Sequence, residues 1–313
     1  MSNDLGIVRI ASYVPKRLLD NRLLAQQFGK DADFVIDRVG AHSLPVIGEE
    51  EETSDIAVEA LNRLLRRAGV KQDDVDCLVL CTQNPDGYGL PHTSAIVQDK
   101  AGLPTSIAAF DVSLGCSGYI YGLKILKGFM EESGAENGIL VTADPYSRII
   151  DPEDGDTRML FGDAATATLL SRDGAVLRLG KSLFSTDGSG ARYLQNVGGR
   201  LKMNGRQVFN FAATKVPAQV SRLLELEQVT MAEIDKVIFH QGSKYIVETL
   251  GRRLRVPDEK LVVDIKKTGN TVSSSIPLLL ERYLDDESVH RFLVSGFGVG
   301  LSWASALLCR IKR

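Results

Sequence analysis

The sequence predicts an α/β fold made of two similar halves, and three observations carry that prediction. Short β-rich apolar runs such as Cys77-Leu78-Val79-Leu80-Cys81 alternate with longer segments whose apolar residues recur at helical spacing. The order of these segments in the first half of the chain recurs past Lys215. The 313 residues, 44% hydrophobic and 25% charged, suffice for one large core or two medium ones.

In chain order, residues 6–13 read as a strand, followed by Pro15 and helices over 21–28 and 33–38. The acidic run Glu49 to Glu52 precedes Thr53-Ser54-Asp55, which reads as the N-cap of a helix over 56–68. Then come a strand over 77–81, a helix over 93–101, a strand ending at Asp111, a helix over 119–130 and strands over 138–142 and 164–171. In the second half a helix over 217–227 precedes residues 229–240, which match 70–81 nearly position for position. A strand over 261–265 leads through Gly269-Asn270-Thr271 into an apolar helix over 276–283, as Asp111 leads through Gly115-Cys116-Ser117. Strands over 291–295 and 303–309 close the chain. The halves, 1–173 and 174–313, are therefore expected to be related by a pseudo-twofold axis. Segment 176–211 reads as an insertion with no counterpart, its Asp187-Gly188-Ser189-Gly190 and Val197-Gly198-Gly199 as turns or hairpins.

Such a fold brings equivalent strand ends and helix starts to one interface, where Cys116, His240 and Asn270 would meet. Cys116 stands where strand gives way to helix. Unpaired N–H groups and the positive end of the helix dipole favour a thiolate there. Gly115 and Gly118 allow close approach to the sulfur. Singly, each residue has a plain account: a core cysteine, a satisfied strand-end histidine, a turn asparagine. Together, at convergent positions, they point to a site.

Composition narrows the function classes. A net charge of −3 offers no basic field for nucleic acid. No run of about eighteen apolar residues suits membrane insertion. Met1-Ser2-Asn3-Asp4 lacks the basic-then-apolar start of a signal peptide, so a cytoplasmic location is expected. The four cysteines have no disulfide-scaffold density, and Cys77 and Cys81, on one strand with no nearby histidine, read as core. No metal site is expected.

Ser113-Leu114-Gly115-Cys116-Ser117-Gly118, Phe161-Gly162-Asp163-Ala164, His240-Gln241, Gly269-Asn270-Thr271 and Gly296-Phe297-Gly298-Val299-Gly300-Leu301-Ser302-Trp303 resemble the β-ketoacyl-acyl carrier protein synthase III family of thiolase-fold condensing enzymes. The resemblance runs over essentially the whole chain. It implies duplicated βαβαβαββ halves in a layered αβαβα architecture, a homodimer, and a transferase of fatty acid and lipid biosynthesis without a permanently bound cofactor. It implies that Cys116 takes an acyl group from acyl-CoA or acyl-ACP. His240 and Asn270 then promote decarboxylation of malonyl-ACP, and condensation gives a 3-oxoacyl thioester. The chemistry suits the residue types. A thiolate exchanges one thioester for another of similar energy, and the enolate left by carbon dioxide loss needs strong hydrogen-bond donors. The backbone N–H groups of Cys116 and Val299 are the implied oxyanion hole. Phe34, Arg38 and Gly205 fall at cofactor-binding positions, and Lys202, Arg206 and Lys244 at the acyl carrier protein docking face. Leu90, reaching into a partner subunit, and Met159, Leu160, Met203 and Phe209 fall at the acyl pocket.

The chain also departs from the family. Phe34 and Gly155 stand where acyl-CoA users clamp adenine between a tryptophan and an arginine, Tyr245 replaces a docking arginine, and Val299 replaces a glycine. The lost clamp favours a rival of the same fold, an acyltransferase that primes a specialised pathway without decarboxylation, whereas His240 and Asn270 speak against it. The order Cys, His, Asn also describes cysteine hydrolases, against which the duplicated halves stand. A catalytically silent partner subunit is disfavoured by the presence of all three residues.

Overall fold

Two half-sheets meet along a single seam in the computed structural model, which describes residues 5–311. The reading of the N-terminal tetrapeptide lies outside the described residues. The first half contains β1 (Gly6–Tyr13), β2 (Arg17–Asp20), α1 (Asn21–Gln27), α2 (Ala32–Val39), β3 (Ser43–Val46), α3 (Thr53–Ala68), β4 (Cys77–Cys81), α4 (Thr93–Lys100), β5 (Ala108–Val112), α5 (Gly118–Ser133), β6 (Asn137–Ala143), α6 (Gly155–Arg158) and β7 (Ala165–Ser171). The second contains β8 (Leu177–Thr186), β9 (Leu194–Val197), β10 (Arg200–Met203), α7 (Gly205–Glu227), β11 (Lys236–Phe239), α8 (Lys244–Arg253), α9 (Ser275–Leu280), β12 (Arg291–Gly298) and β13 (Ser302–Arg310).

The main sheet has the order β11-β12-β13-β8-β1-β7-β6-β4-β5. Its middle is the antiparallel seam Gly6↔Arg178 and Ile7↔Leu177. Outward from that seam the halves mirror each other: β1, β7, β6, β4 on one side and β8, β13, β12, β11 on the other. Helices α5 and α9 touch strands of both half-sheets, α3 and α4 cover the first, and α7, with α8 packed on it, covers the second. That is the expected five-layer αβαβα arrangement.

Sequence pattern explains the layering. Ile56, Ala57, Ala60, Leu61, Leu64 and Leu65 form one apolar stripe on α3 and bury it against the first half-sheet. Each large side chain there contributes about 1.5–3 kcal/mol of transfer free energy. Tyr119, Ile120, Leu123, Leu126 and Met130 of α5 fill the middle layer together with Ile276, Leu279 and Leu280 of α9. Val216, Val220 and Leu223 of α7 seal the outer face with Val247 and Leu250 of α8.

Four expectations are corrected. The N-cap of α3 is Glu52, not Thr53-Ser54-Asp55: the Asp55 carboxylate accepts the Glu52 N–H at 2.8 Å, closing a capping box one turn earlier. Segment 176–211 is not wholly without counterpart, because β8 takes the place in its half that β1 takes in the first. Its alternation is broken by a register shift opposite Ala306 and Leu308, which hides a ten-residue strand from a period-two reading. The hairpin at Val197-Gly198-Gly199 is present, joining β9 to β10. Helix α7 starts at Gly205, not at 217: the Asn204 side chain accepts the Gln207 N–H, and buried Phe211, Ala212 and Val216 hold the first turns despite Pro217 inside. Finally, 261–265 is no strand; Leu261 makes one bridge to Val237.

Candidate active site

Cys116 lies two residues before α5, in the turn that follows β5, and is 5% exposed. Strand β12 passes flush against it because Gly296 and Gly298 face it: a Cβ on Gly296 would run into the Cys116 carbonyl oxygen, and one on Gly298 would lie 2.8 Å from Sγ. Ser117 Oγ and Ser302 Oγ, 2.8 Å apart, tie the α5 start to β13. The backbone N–H groups of Cys116 and Val299 point at Sγ and lower its pKa, but burial dominates, with the Asp144 carboxylate adding to it, and pushes the thiol up to about 12. The expected resting thiolate is thus corrected. The helix start is there, but enclosure outweighs it. Val299 is not among the residues with positive φ, which falls on Gly300 instead, so a β-branched side chain is accommodated in this loop.

His240 directly follows β11 and is 2% exposed, its N–H bonded to the Ser295 carbonyl at 2.8 Å. Nδ1 lies 2.7 Å from Ser275 Oγ, which also accepts the Gln241 N–H at 3.4 Å. The tautomer decides the roles in this pair: with the Ser275 hydroxyl donating to Nδ1, Nε2 is the nitrogen that carries hydrogen. Burial pulls the imidazole down to about 3, against a hydrogen bond to the Val272 backbone that raises it, so the ring is neutral. The Phe297 ring stands edge-on to it at 5.5 Å. Asn270 is pinned to the other half: its N–H donates to the Leu160 carbonyl at 2.9 Å and its carbonyl accepts the Gly162 N–H at 3.1 Å. Oδ1 accepts the Val272 N–H at 2.9 Å, which orients Nδ2 as the donor left for a ligand.

These three residues line one cavity of about 250 Å³, together with Leu160, Phe161, Leu194, Met203, Phe209, Ile246 and Phe297. A buried carboxyl sits behind it. Asp144 accepts from the Gln83 N–H at 2.7 Å and the Ser273 hydroxyl at 2.5 Å, and burial pushes it up to about 7 against those bonds.

Two family models match, 3-oxoacyl-[acyl-carrier-protein (ACP)] synthase III over residues 110–188 and its C-terminal part over 224–309. A β-ketoacyl-[acyl-carrier-protein] synthase III of Deinococcus deserti is 32% identical, the match covering 97% of this chain and 91% of the relative. The chain belongs to this family. With it, the chain is an acyl-transferring condensing enzyme of fatty acid synthesis, and the cysteine-hydrolase reading loses its support. The crystal structure of 3-oxoacyl-[acyl-carrier-protein] synthase III from Aquifex aeolicus superposes with a TM-score of 0.91 at 30% identity, covering 97% of this chain and 99% of the other. A priming β-ketosynthase from the R1128 polyketide pathway does so with 0.88 at 26%, covering 98% and 96%. The thiolase fold follows from these matches.

Of the other residues singled out from the sequence, Arg38, Leu160, Met203, Gly205 and Phe209 line the cavity. Met159 does not: it turns away into a small cluster with Ala25 and Val35, because Leu160 and Phe161 take the inward positions. Leu90 is 87% exposed and does not line the cavity of its own chain. At the mouth the Arg38 guanidinium stacks between the rings of Phe34 at 5.5 Å and Tyr245 at 4.4 Å, and Tyr245 stacks on Phe209 at 5.2 Å. Gly155 has no room for a side chain, since Phe28 packs 2.6 Å from where its Cβ would be. Lys202 pairs with Asp151 at 3.4 Å, Arg206 is exposed in the first turn of α7, and Lys244 reaches Glu248 at 4.0 Å. Sequence reasoning missed Ser275, Gln83, Tyr146 and Asp144. Only Asp144, a carboxylate directly after the apolar run of β6, carried a visible signal.

Proposed function

We propose that Cys116 accepts an acyl group from a thioester and that the acyl-enzyme is extended by decarboxylative Claisen condensation with malonyl-ACP. The observation that carries this reading is the convergence of a neutral His240, the Asn270 amide and the Cys116 thiol in one cavity, with Ser275 placed to hold the His240 tautomer that has hydrogen on Nε2. In the first step Sγ attacks the thioester carbonyl, the thiol of the donor leaves, and the Cys116 proton passes to the leaving sulfur. The tetrahedral oxyanion is held by the Cys116 and Val299 N–H groups. In the second, the malonyl carboxylate departs as carbon dioxide, and the enolate oxygen is held by Nε2–H of His240 and Nδ2–H of Asn270. The enolate carbon then attacks the acyl carbonyl. Collapse releases the 3-oxoacyl thioester and a Cys116 thiolate, which takes up one proton. The neutral imidazole suits this role, because a donor that does not titrate near pH 7 keeps its hydrogen bond throughout turnover.

The same cavity supports donation by a carrier protein over coenzyme A. Phe28 fills the place where an arginine would clamp adenine, and Arg38 is already stacked between two rings. This observation also favours the second reading, a priming acyltransferase. Arg206, Lys202 and Lys244 are the cations we assign to docking an acidic carrier. A cytoplasmic homodimer completes the proposal: β5 is a sheet edge whose side chains are all half-buried, an edge a second copy can cover. The division into units at residue 173 falls between β7 and β8 and remains part of the same proposal.

Intact-protein mass spectrometry with acyl-CoA and acyl-ACP panels, chased with malonyl-ACP, tests it. The expected result is an acyl mass on the protein, absent from Cys116→Ser, that the chase clears as a chain two carbons longer. Loading that malonyl-ACP does not clear would assign the priming acyltransferase instead.

A further inference from the structure

One buried carboxyl takes no part in the proposed chemistry, yet it is bonded to both of the segments that seat the reacting groups. Asp144 directly follows β6 and is fully buried. Its Oδ1 accepts the Gln83 N–H at 2.7 Å and lies 3.4 Å from Thr82 Oγ1, just past the end of β4. Its Oδ2 accepts the Ser273 hydroxyl at 2.5 Å, three residues past Asn270. A carboxyl out of water is costly unless its oxygens are hydrogen-bonded, and here the partners come from two segments far apart in sequence.

Each segment leads to a reacting group. The Gln83 side chain lies across Gly115, the residue before Cys116: its Oε1 fills the space that a side chain on Gly115 would need, and it accepts the Tyr146 hydroxyl at 3.0 Å. The turn of the nucleophile therefore rests on Gln83. Ser273 follows Val272, whose N–H holds Asn270 Oδ1 at 2.9 Å. Val272 has a φ of 50°, a left-handed conformation that disfavours a β-branched residue. Such a residue stays there only where its neighbours hold it. Ser274 Oγ donates to the Thr142 and Ala164 carbonyls at 3.1 and 3.2 Å, which ties that side of the turn to the sheet. Ser273 is tied instead to the carboxyl that also seats Gln83.

We propose that Asp144 is a positioning residue for both half-reactions: through Gln83 it seats the Cys116 turn, and through Ser273 it holds the turn that orients Asn270. The assignment rests on the proposed loading and decarboxylation steps. It calls for hydrogen-bonding shape, not charge, since an amide in the same place can accept from the Gln83 N–H and donate to Ser273 Oγ.

The test measures the two steps separately on the full-length protein: acyl loading from acetyl-, butyryl- and octanoyl-ACP by intact mass, and carbon dioxide release from malonyl-ACP. Asp144→Ala is expected to lower the maximal rate of both steps by about 10- to 100-fold, the scale of a misplacement near 1 Å, with little change in half-saturating concentration. Asp144→Asn is expected to recover most of both rates. Ser273→Ala should slow decarboxylation and spare loading, and Gln83→Ala should do the reverse. These two variants carry the test should Asp144→Ala fail to fold. Asp144→Ala with wild-type rates in both steps would overturn the assignment, as would arm variants that slow both steps alike. Asp144→Asn as slow as Asp144→Ala would overturn it in favour of a role for the carboxyl's charge or proton. A wild type that performs neither step would overturn the proposed function, and the assignment with it.

Discussion

The two strand-to-helix junctions that duplication made equivalent have diverged in one respect. In the first half β5 pairs with β4 over five residues, from Cys77↔Ala108 to Cys81↔Val112, and delivers Cys116 from a fully bonded strand. In the second half the equivalent strand has shrunk to the single bridge Val237↔Leu261. The freed backbone is taken by a side chain: Gln241 donates to the Val262 carbonyl at 3.3 Å and accepts the Asp264 N–H at 3.2 Å, while also bonding the Phe239 carbonyl at 2.7 Å. Released from strand geometry, the chain leads Asn270 across to bridge Phe161 in the other half. A nucleophile needs a rigid seat. A donor that must meet substrate from the far side needs reach, and trading a strand for one glutamine supplies it.

On the proposed function the junctions also divide the labour, and the largest expected effect probes that division. Asn270→Ala leaves acyl loading on Cys116 at its wild-type rate and slows malonyl decarboxylation by about 10²–10³-fold, the usual result of removing one oxyanion donor. Single-turnover loading and carbon dioxide release, measured separately, check it. Equal loss in both steps would show that the second junction also serves the first.

The contrast between junctions marks what could be read from the sequence. Where local pattern and pairing agree, as at β4, β11 and β12, strands and their order were legible, and so was the convergence of Cys116, His240 and Asn270. Where a side chain replaces a strand, the pattern misleads: the apolar run 261–265 reads as β, yet Gln241 holds Val262 and Asp264 in place of a strand partner. The bulge in β8 misleads in the same way, by shifting alternation mid-strand. Long-range partners left no trace. Ser275, 35 residues from His240, and Tyr146, 63 from Gln83, are polar contacts that only the folded chain creates. The resting state of Cys116 was misjudged for a related reason, since a helix start is visible in sequence and the enclosure that outweighs it is not.

Breaking the glutamine tether sharpens the comparison at moderate cost. Gln241→Leu leaves the Asp264 N–H without its acceptor and frees the 262–264 backbone, so a loss of about 1–3 kcal/mol is expected by denaturant unfolding. Condensation should fall while acyl loading persists, because Cys116 depends on β5 and not on this loop. Loading lost together with condensation would show that the two junctions are mechanically one.

The smallest effect is electrostatic and separates the groups behind each junction by sign. His240, pulled down to about 3, lends stability that is present above pH 6.5 and is lost as pH falls toward 3. Asp144, pushed up to about 7, acts oppositely: its contribution is present below its ordinary value of 3.8 and lost as pH rises toward 7. Between those limits the two oppose each other, and Asp163, pushed up by burial to about 6, acts on the side of Asp144, so the wild-type unfolding free energy should fall as pH rises from about 4 to 6. Asp144→Asn removes one of the two carboxyls from the balance. Relative to wild type its stability should climb with pH over that window by about 1 kcal/mol per unit, as read from urea midpoints at constant salt. A variant with the same pH slope as wild type would mean that Asp144 is already ionised in the folded chain, held by the hydroxyls and N–H groups of Ser273, Thr82 and Gln83 rather than by a proton.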